Sequence, residues 1–155
     1  MKSEQSAIDQ ILELIPHQEP FRFIDKITYI DDSRIEGQYF FHPGQEFYKG
    51  HFPGHPITPG VILIEVMAQI GLVAFGIYLL TKTRDAGDTI CSSIPVLTAV
   101  DVKFGRKVLP GEQVSVQAEK TVFRHGRLSC KVRLLNSDHR IAAEGSISGF
   151  IAEKD

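Results

Sequence analysis

With 155 residues, 17 basic and 19 acidic side chains and a formal charge of −2, the chain suits one domain with a real core, and no global charge asks for nucleic acid or an anionic membrane surface. Its two cysteines, Cys91 and Cys130, have neither metal-like nor redox-like spacing and read as small core residues in a reducing compartment. No repeat, low-complexity tract or linker divides the chain, so a single domain over 1–155 is expected.

Residues Ala7 to Ile15 place Ile8, Ile11, Leu12 and Ile15 at the spacing of a short amphipathic helix, which Pro16 ends. Pro20 separates the polar turn HQE from PFRFIDKITYID. That run predicts a strand of imperfect alternation through Phe21, Phe23 and Ile24 to Ile27 and Tyr29 or Ile30, with a bulge near Asp25. Asp31-Asp32-Ser33 is a turn, and RIEGQYFF is the returning strand.

Gly50 to Gln69, GHFPGHPITPGVILIEVMAQ, begins as a turn-rich loop around His51 and His55 and passes into an apolar run whose first acid is Glu65. Thr58-Pro59-Gly60 predicts a helix start, with threonine as cap and proline at the first helical position, where no bond is lost. From Gly60 to Leu80 the chain is apolar on nearly every face, which predicts a helix of about 30 Å buried on nearly every side. A bilayer span needs about 20 such residues. Against a span stand Glu65 and Gln69 near its start, the lack of a second apolar segment and of a basic-then-apolar leader, so a core helix in a cytoplasmic protein is expected.

TKTRDAGD is the polar exit from that helix, and the remainder reads as strands. ICSSIPVLTAVDVKF holds Pro95, which assigns it to an edge or a bulge. EQVSVQAEKTVF alternates at Val114, Val116 and Ala118, RHGR turns, and LSCKVRLLN alternates at Leu128, Cys130, Val132 and Leu134. After the turn NSDH, RIAAEGSISGFI puts Ile141, Ala143, Ile147 and Ile151 in phase. The sum is an α+β domain, an antiparallel sheet of five or six strands covering a long helix, and a helix apolar all round needs a second subunit to close its remaining side.

PHQEPFRFIDKI, GHFPGHPITPGVILIEVMAQ and FGRKVLPGE, in this order, resemble the (3R)-hydroxyacyl-[acyl-carrier-protein] dehydratases of fatty acid synthesis, from about Ile11 to Ile151. The resemblance implies the hot dog fold, a curved antiparallel sheet wrapped around a long central helix, and a homodimer, often three dimers together, with active sites at the subunit interface. It implies His51 and Glu65 as the catalytic pair, supplied by different subunits, Gly60 as the residue whose N–H receives the thioester carbonyl, and no cofactor or metal. The chain departs from the family at Gln18 and Glu19, where an arginine and an aromatic are usual, at Arg22 and Phe23, which replace a commonly aliphatic pair, and at Thr58 in place of methionine. These leave acid and base untouched and bear on the tunnel mouth and the natural acyl chain.

Dehydrating a 3-hydroxyacyl thioester needs a base for the α-proton, a donor for the leaving hydroxyl and a group to hold charge on the thioester oxygen. His51 suits the first, because imidazole titrates near neutral pH. Glu65 in apolar sequence suits the second. The unpaired N–H groups of a first helical turn suit the third, at Gly60. Each has a bland alternative: His51 as a turn cap, Glu65 as a backbone-bonded acid, Gly60 as a packing residue. Gln69, one turn after Glu65, either bonds the carboxylate or packs, and Tyr48 and Phe52 line the pocket or pack beneath the loop.

His42, His51 and His55 do not read as a metal site, because Pro53, Gly54 and Pro56 forbid the helix that would align them. Lys103, Arg106 and Lys107 form the densest basic cluster and, given the resemblance, suit docking of an acidic acyl carrier protein; the alternative is a solvated strand end. Competing functions are the same elimination in a dedicated polyene, pigment or polyketide-like pathway, a hot dog thioesterase, and a non-catalytic acyl-binding protein.

Overall fold

The computed structural model describes residues 2–82 and 93–153. Helix α1, Lys2–Leu14, starts earlier than predicted, buries Ile11, and stops ahead of Pro16 because the residue before a proline is steered away from helical geometry. Strands β1, Lys26–Ile30, and β2, Arg34–Phe40, form a hairpin. The short α2, Phe47–Gly50, leads into the histidine loop.

One helical rod then runs from Gly60 to Leu80 as α3, Gly60–Ala68, a π-helical segment, Gln69–Ala74, and α4, Phe75–Leu80. The predicted uninterrupted α-helix is thus corrected. Proline occupies the cap position, with no side-chain bond there. Thr58 lies one residue before the cap and bonds Tyr48 instead, Oγ1 to Oη at 2.6 Å. The rod is long and apolar enough to cross a bilayer, and most of it is buried inside this domain.

Four strands follow: β3, Ser93–Phe104; β4, Gln113–Arg124; β5, Arg127–Leu135; and β6, Ile141–Glu153. All pairings are antiparallel in the order β1-β2-β4-β5-β6-β3, which puts Pro95 on an edge strand as predicted. The sheet wraps the rod, with β2, β4, β5 and β6 all touching the π-helical segment. This is the hot dog fold.

Alternation places the core as expected: Val114, Val116, Ala118, Leu128, Cys130, Val132 and Leu134 face Val66, Met67, Ile70 and Phe75 of the rod. Burial pushes the Cys130 thiol up to about 12, and its Sγ sits 3.4 Å from the Gly71 carbonyl. Cys91 and most of the TKTRDAGD connection lie outside the described residues.

Two strand expectations fail. Phe21 to Asp25 are irregular: the Phe21 carbonyl and the Phe23 N–H are taken by Gln69, the Asp25 N–H alone reaches β2 at the Gln38 carbonyl, and the slip in β1 lies between Ile27 and Tyr29. Ile141 is 36% exposed while Ala142 and Ala143 are buried, because a register shift opposite Leu134 and Leu135 inserts one residue at the start of β6.

Gly145 of β6 lies against β3 so closely that a Cβ there would sit 1.9 Å from the Asp101 carbonyl oxygen. Gly145→Ala is expected to cost about 2–4 kcal/mol of stability, since backbone must move to admit it; urea denaturation within 0.5 kcal/mol of wild type, about the noise of a surface change, would contradict that close approach.

Candidate active site

His51 follows α2 and is fixed by its neighbours. Its N–H donates to the Phe47 carbonyl at 3.1 Å, and its own carbonyl accepts from Ile57 N at 2.9 Å. Nδ1 lies 2.9 Å from the Ile57 carbonyl oxygen. A carbonyl can only accept, so Nδ1 carries the proton and the neutral ring presents a bare Nε2 lone pair. Phe52 stacks on the imidazole with centroids 4.2 Å apart and stays half-exposed. Tyr48 packs beneath the loop, buried, with burial pushing its phenol up.

His51 shares a cleft with Gly60, Leu63, Phe104, Arg106 and Lys107. Gly60 is the first residue of α3, so its N–H has no acceptor within the helix and carries part of the positive end of the dipole. A Cβ on Gly60 would meet the Phe104 ring at 3.3 Å, so glycine keeps the cleft open. Lys103, Arg106 and Lys107 are all exposed, and none takes part in an ion pair among the described residues.

Glu65 lines a different cavity. A groove of about 280 Å³ runs along one face of the rod past Ala68, Leu72, Gly76 and Leu80, roofed by residues such as Val96 and Phe150. Its polar end holds Glu65 and His17, each 21% exposed. Within this chain, therefore, His51 and Glu65 open into separate pockets, and Gln69 lines neither.

Gln69 is wholly buried and fully bonded. Its Oε1 accepts from Phe23 N at 2.6 Å, and its Nε2 donates to the Phe21 carbonyl at 3.0 Å and to Glu65 Oε1 at 2.9 Å. The amide cannot be flipped without losing all three bonds. Of the two readings open from sequence, bonding to the carboxylate is the one observed.

His17 was given no role from sequence. Its Nε2 lies 3.6 Å from Glu65 Oε1. Burial lowers the titration of its ring below the ordinary histidine value, opposed by the Glu65 charge and reinforced by that of Arg22. The motif PHQEP contains this residue, but only tertiary structure brings it to Glu65. Among the described residues no group of acids, cysteines and histidines has metal-site geometry.

Gln69→Leu would strip partners from the Phe21 carbonyl, the Phe23 N–H and Glu65 at once. A loss of about 2–4 kcal/mol is expected from unsatisfied buried groups; unfolding at the wild-type urea midpoint would show that water replaces the amide freely.

A profile of the FabA-like domain matches residues 15–146. The 3-hydroxyacyl-[acyl-carrier-protein] dehydratase FabZ of Bacillus cereus is 34% identical over 95% of this chain and 96% of its own, and that of Geobacter metallireducens 29% identical over 96% and 95%. Among solved structures, the dehydratase heterocomplex ApeI:P from Xenorhabdus doucetiae superposes with a TM-score of 0.76 at 14% identity, covering 93% of this chain and 91% of that one. A thioesterase superfamily member from Thermus thermophilus superposes at 0.55 and 15%, covering 88% of each, and both likenesses are of fold. Matched by the profile over most of its length and by curated relatives nearly from end to end, the chain belongs to the FabA-like family.

Proposed function

We propose that this protein dehydrates (3R)-hydroxyacyl chains on an acyl carrier protein to trans-2-enoyl chains, in cytoplasmic fatty acid synthesis. The observation that carries the proposal is the end-to-end relation to FabZ dehydratases in a chain whose His51 offers a bare Nε2. Nε2 takes the α-proton while the Gly60 N–H holds negative charge on the thioester oxygen. Glu65 gives a proton to the departing hydroxyl, which leaves as water as the carbon–carbon double bond forms. The groove beyond Glu65 takes the acyl tail. No step calls on a metal or cofactor.

A homodimer completes the site in this reading. Among the described residues β3 has an unpaired edge; this strand exposes Ile94, Leu97, Val100 and Phe104, each at least 40% accessible, and Val61 at the start of α3 is 71% accessible. Such an edge is a template for a second strand, and a second copy is the occupant that fits. The groove is flanked by one end of β3, at Pro95 to Leu97, and the histidine cleft by the other, at Phe104. Antiparallel pairing of two β3 strands sets opposite ends side by side. His51 of one protomer then faces Glu65 of the other.

The basic residues beside the histidine cleft would receive the acidic carrier and guide its arm inward.

His51→Ala and Glu65→Gln should each lower turnover of 3-hydroxyacyl carrier protein by about 10²–10⁴-fold with the dimer intact, followed as loss of water by mass spectrometry. A wild type that leaves the substrate unchanged ends the dehydratase reading, and release of free acid with carrier thiol replaces it by a thioesterase.

Reversing Arg106 and Lys107 to glutamate should raise KM for the carrier substrate most at low salt, since a Debye length of about 10 Å at 0.1 M screens such charges. Equal KM at low and high salt would remove this cluster from docking.

A further inference from the structure

Glu65 can act as the acid only if its proton sits on the oxygen that faces the substrate. Both polar neighbours of the carboxyl approach the same atom. Gln69 Nε2 donates to Oε1 at 2.9 Å, and His17 Nε2 is 3.6 Å from that oxygen. Oε2 has no hydrogen-bond partner among the described residues. We propose that His17 is a positioning residue for Glu65: its Nε2–H, together with the Gln69 amide, makes Oε1 the accepting oxygen and leaves Oε2 to carry the proton given to the leaving hydroxyl. The inference rests on the dehydratase reading above.

The tautomer follows from burial. His17 Nδ1 is buried with no hydrogen-bond partner. An orphaned donor is rarer in proteins than an under-satisfied acceptor, so the neutral ring leaves Nδ1 bare and puts its hydrogen on Nε2, toward Glu65. The separation is long for a hydrogen bond, and such contacts tighten when substrate fills a site.

Arg22 supplies the hold. Its guanidinium donates to the carbonyls of Leu12 at 2.8 Å, His17 at 3.3 Å and Ile15 at 3.5 Å, which ties the end of α1 and the His17 backbone together. Its charge also disfavours an imidazolium at His17, as burial does. Among the described residues the groove walls from β3, the β4–β5 turn and β6 bring no titratable group to His17, so Glu65 and Arg22 are the charges it meets there. A charged His17 would lock Glu65 as a carboxylate; a neutral one lets it keep its proton. The elimination stays balanced: His51 gains the α-proton, Oε2 loses its proton into water, and transfer from His51 to Glu65 restores both.

The test compares His17→Phe, which removes the donor, with His17→Gln, which keeps an N–H at similar reach. For His17→Phe, kcat is expected to fall about tenfold, the worth of one neutral hydrogen bond, with KM within about twofold; His17→Gln should recover most of it. Nitrogen-15 shifts of the labelled imidazole should report an Nε2–H tautomer, titrating lower still in Glu65→Gln and higher in Arg22→Leu. Wild-type kcat in His17→Phe, an Nδ1–H tautomer, or a titration indifferent to Glu65→Gln would each overturn the proposal. If His17→Phe does not fold, the Gln variant and the imidazole titration decide. A wild type that does not dehydrate sinks the functional reading instead, while the titration still reports whether His17 and Glu65 are coupled.

Discussion

One carboxamide holds the site to the core. Gln69 lies where the rod is wholly buried, and an unpaired amide there would cost several kcal/mol, so the surrounding chain is arranged to saturate it. Two of its bonds draw Phe21 and Phe23 onto the rod in an irregular stretch, and the third fixes Glu65 Oε1. Just before that stretch His17 reaches the polar end of the groove, and Arg22 within it donates to the His17 carbonyl. The same side chain thus determines where the N-terminal segment runs and which way the Glu65 carboxyl faces.

Much of the architecture could be read from sequence because it follows from period and burial. Val114, Val116 and Ala118, and then Leu128 to Leu134, alternate because one face of each strand meets the rod. The run from Gly60 was legible as a core helix because nothing apolar on every side can remain in water. Less could be read where one residue changes the phase. Ile141 faces outward because of a register slip that no residue type announces, and Phe21 to Asp25 look like a strand by composition while the Phe21 carbonyl and the Phe23 N–H go to a distant amide. His51 and Gly60, both singled out in the motif, line one cleft, whereas His17 was invisible because its contact with Glu65 joins residues far apart along the chain.

The separate openings of the two pockets give the edge strand its weight. One chain holds His51 in one recess and Glu65 in another, with β3 running between them and apolar side chains left in solvent along it. Under the dimer reading, closing that edge removes an aggregation hazard and assembles the reacting groups in the same event. Arg22 adds to the same region: its guanidinium caps the end of α1 and sets a positive charge beside His17.

The π-helical turn has a geometric consequence of its own. Groove-floor residues Ala68, Leu72, Gly76 and Leu80 recur every fourth position, and in a regular α-helix a step of four overshoots a full turn by about 40°, so the floor would spiral away. The wider turn at Gln69–Ala74 unwinds the rod and keeps those positions in line. Excising a single residue from that turn would restore ordinary pitch and swing Gly76 and Leu80 out of the channel, turning a straight trough into a blind alcove.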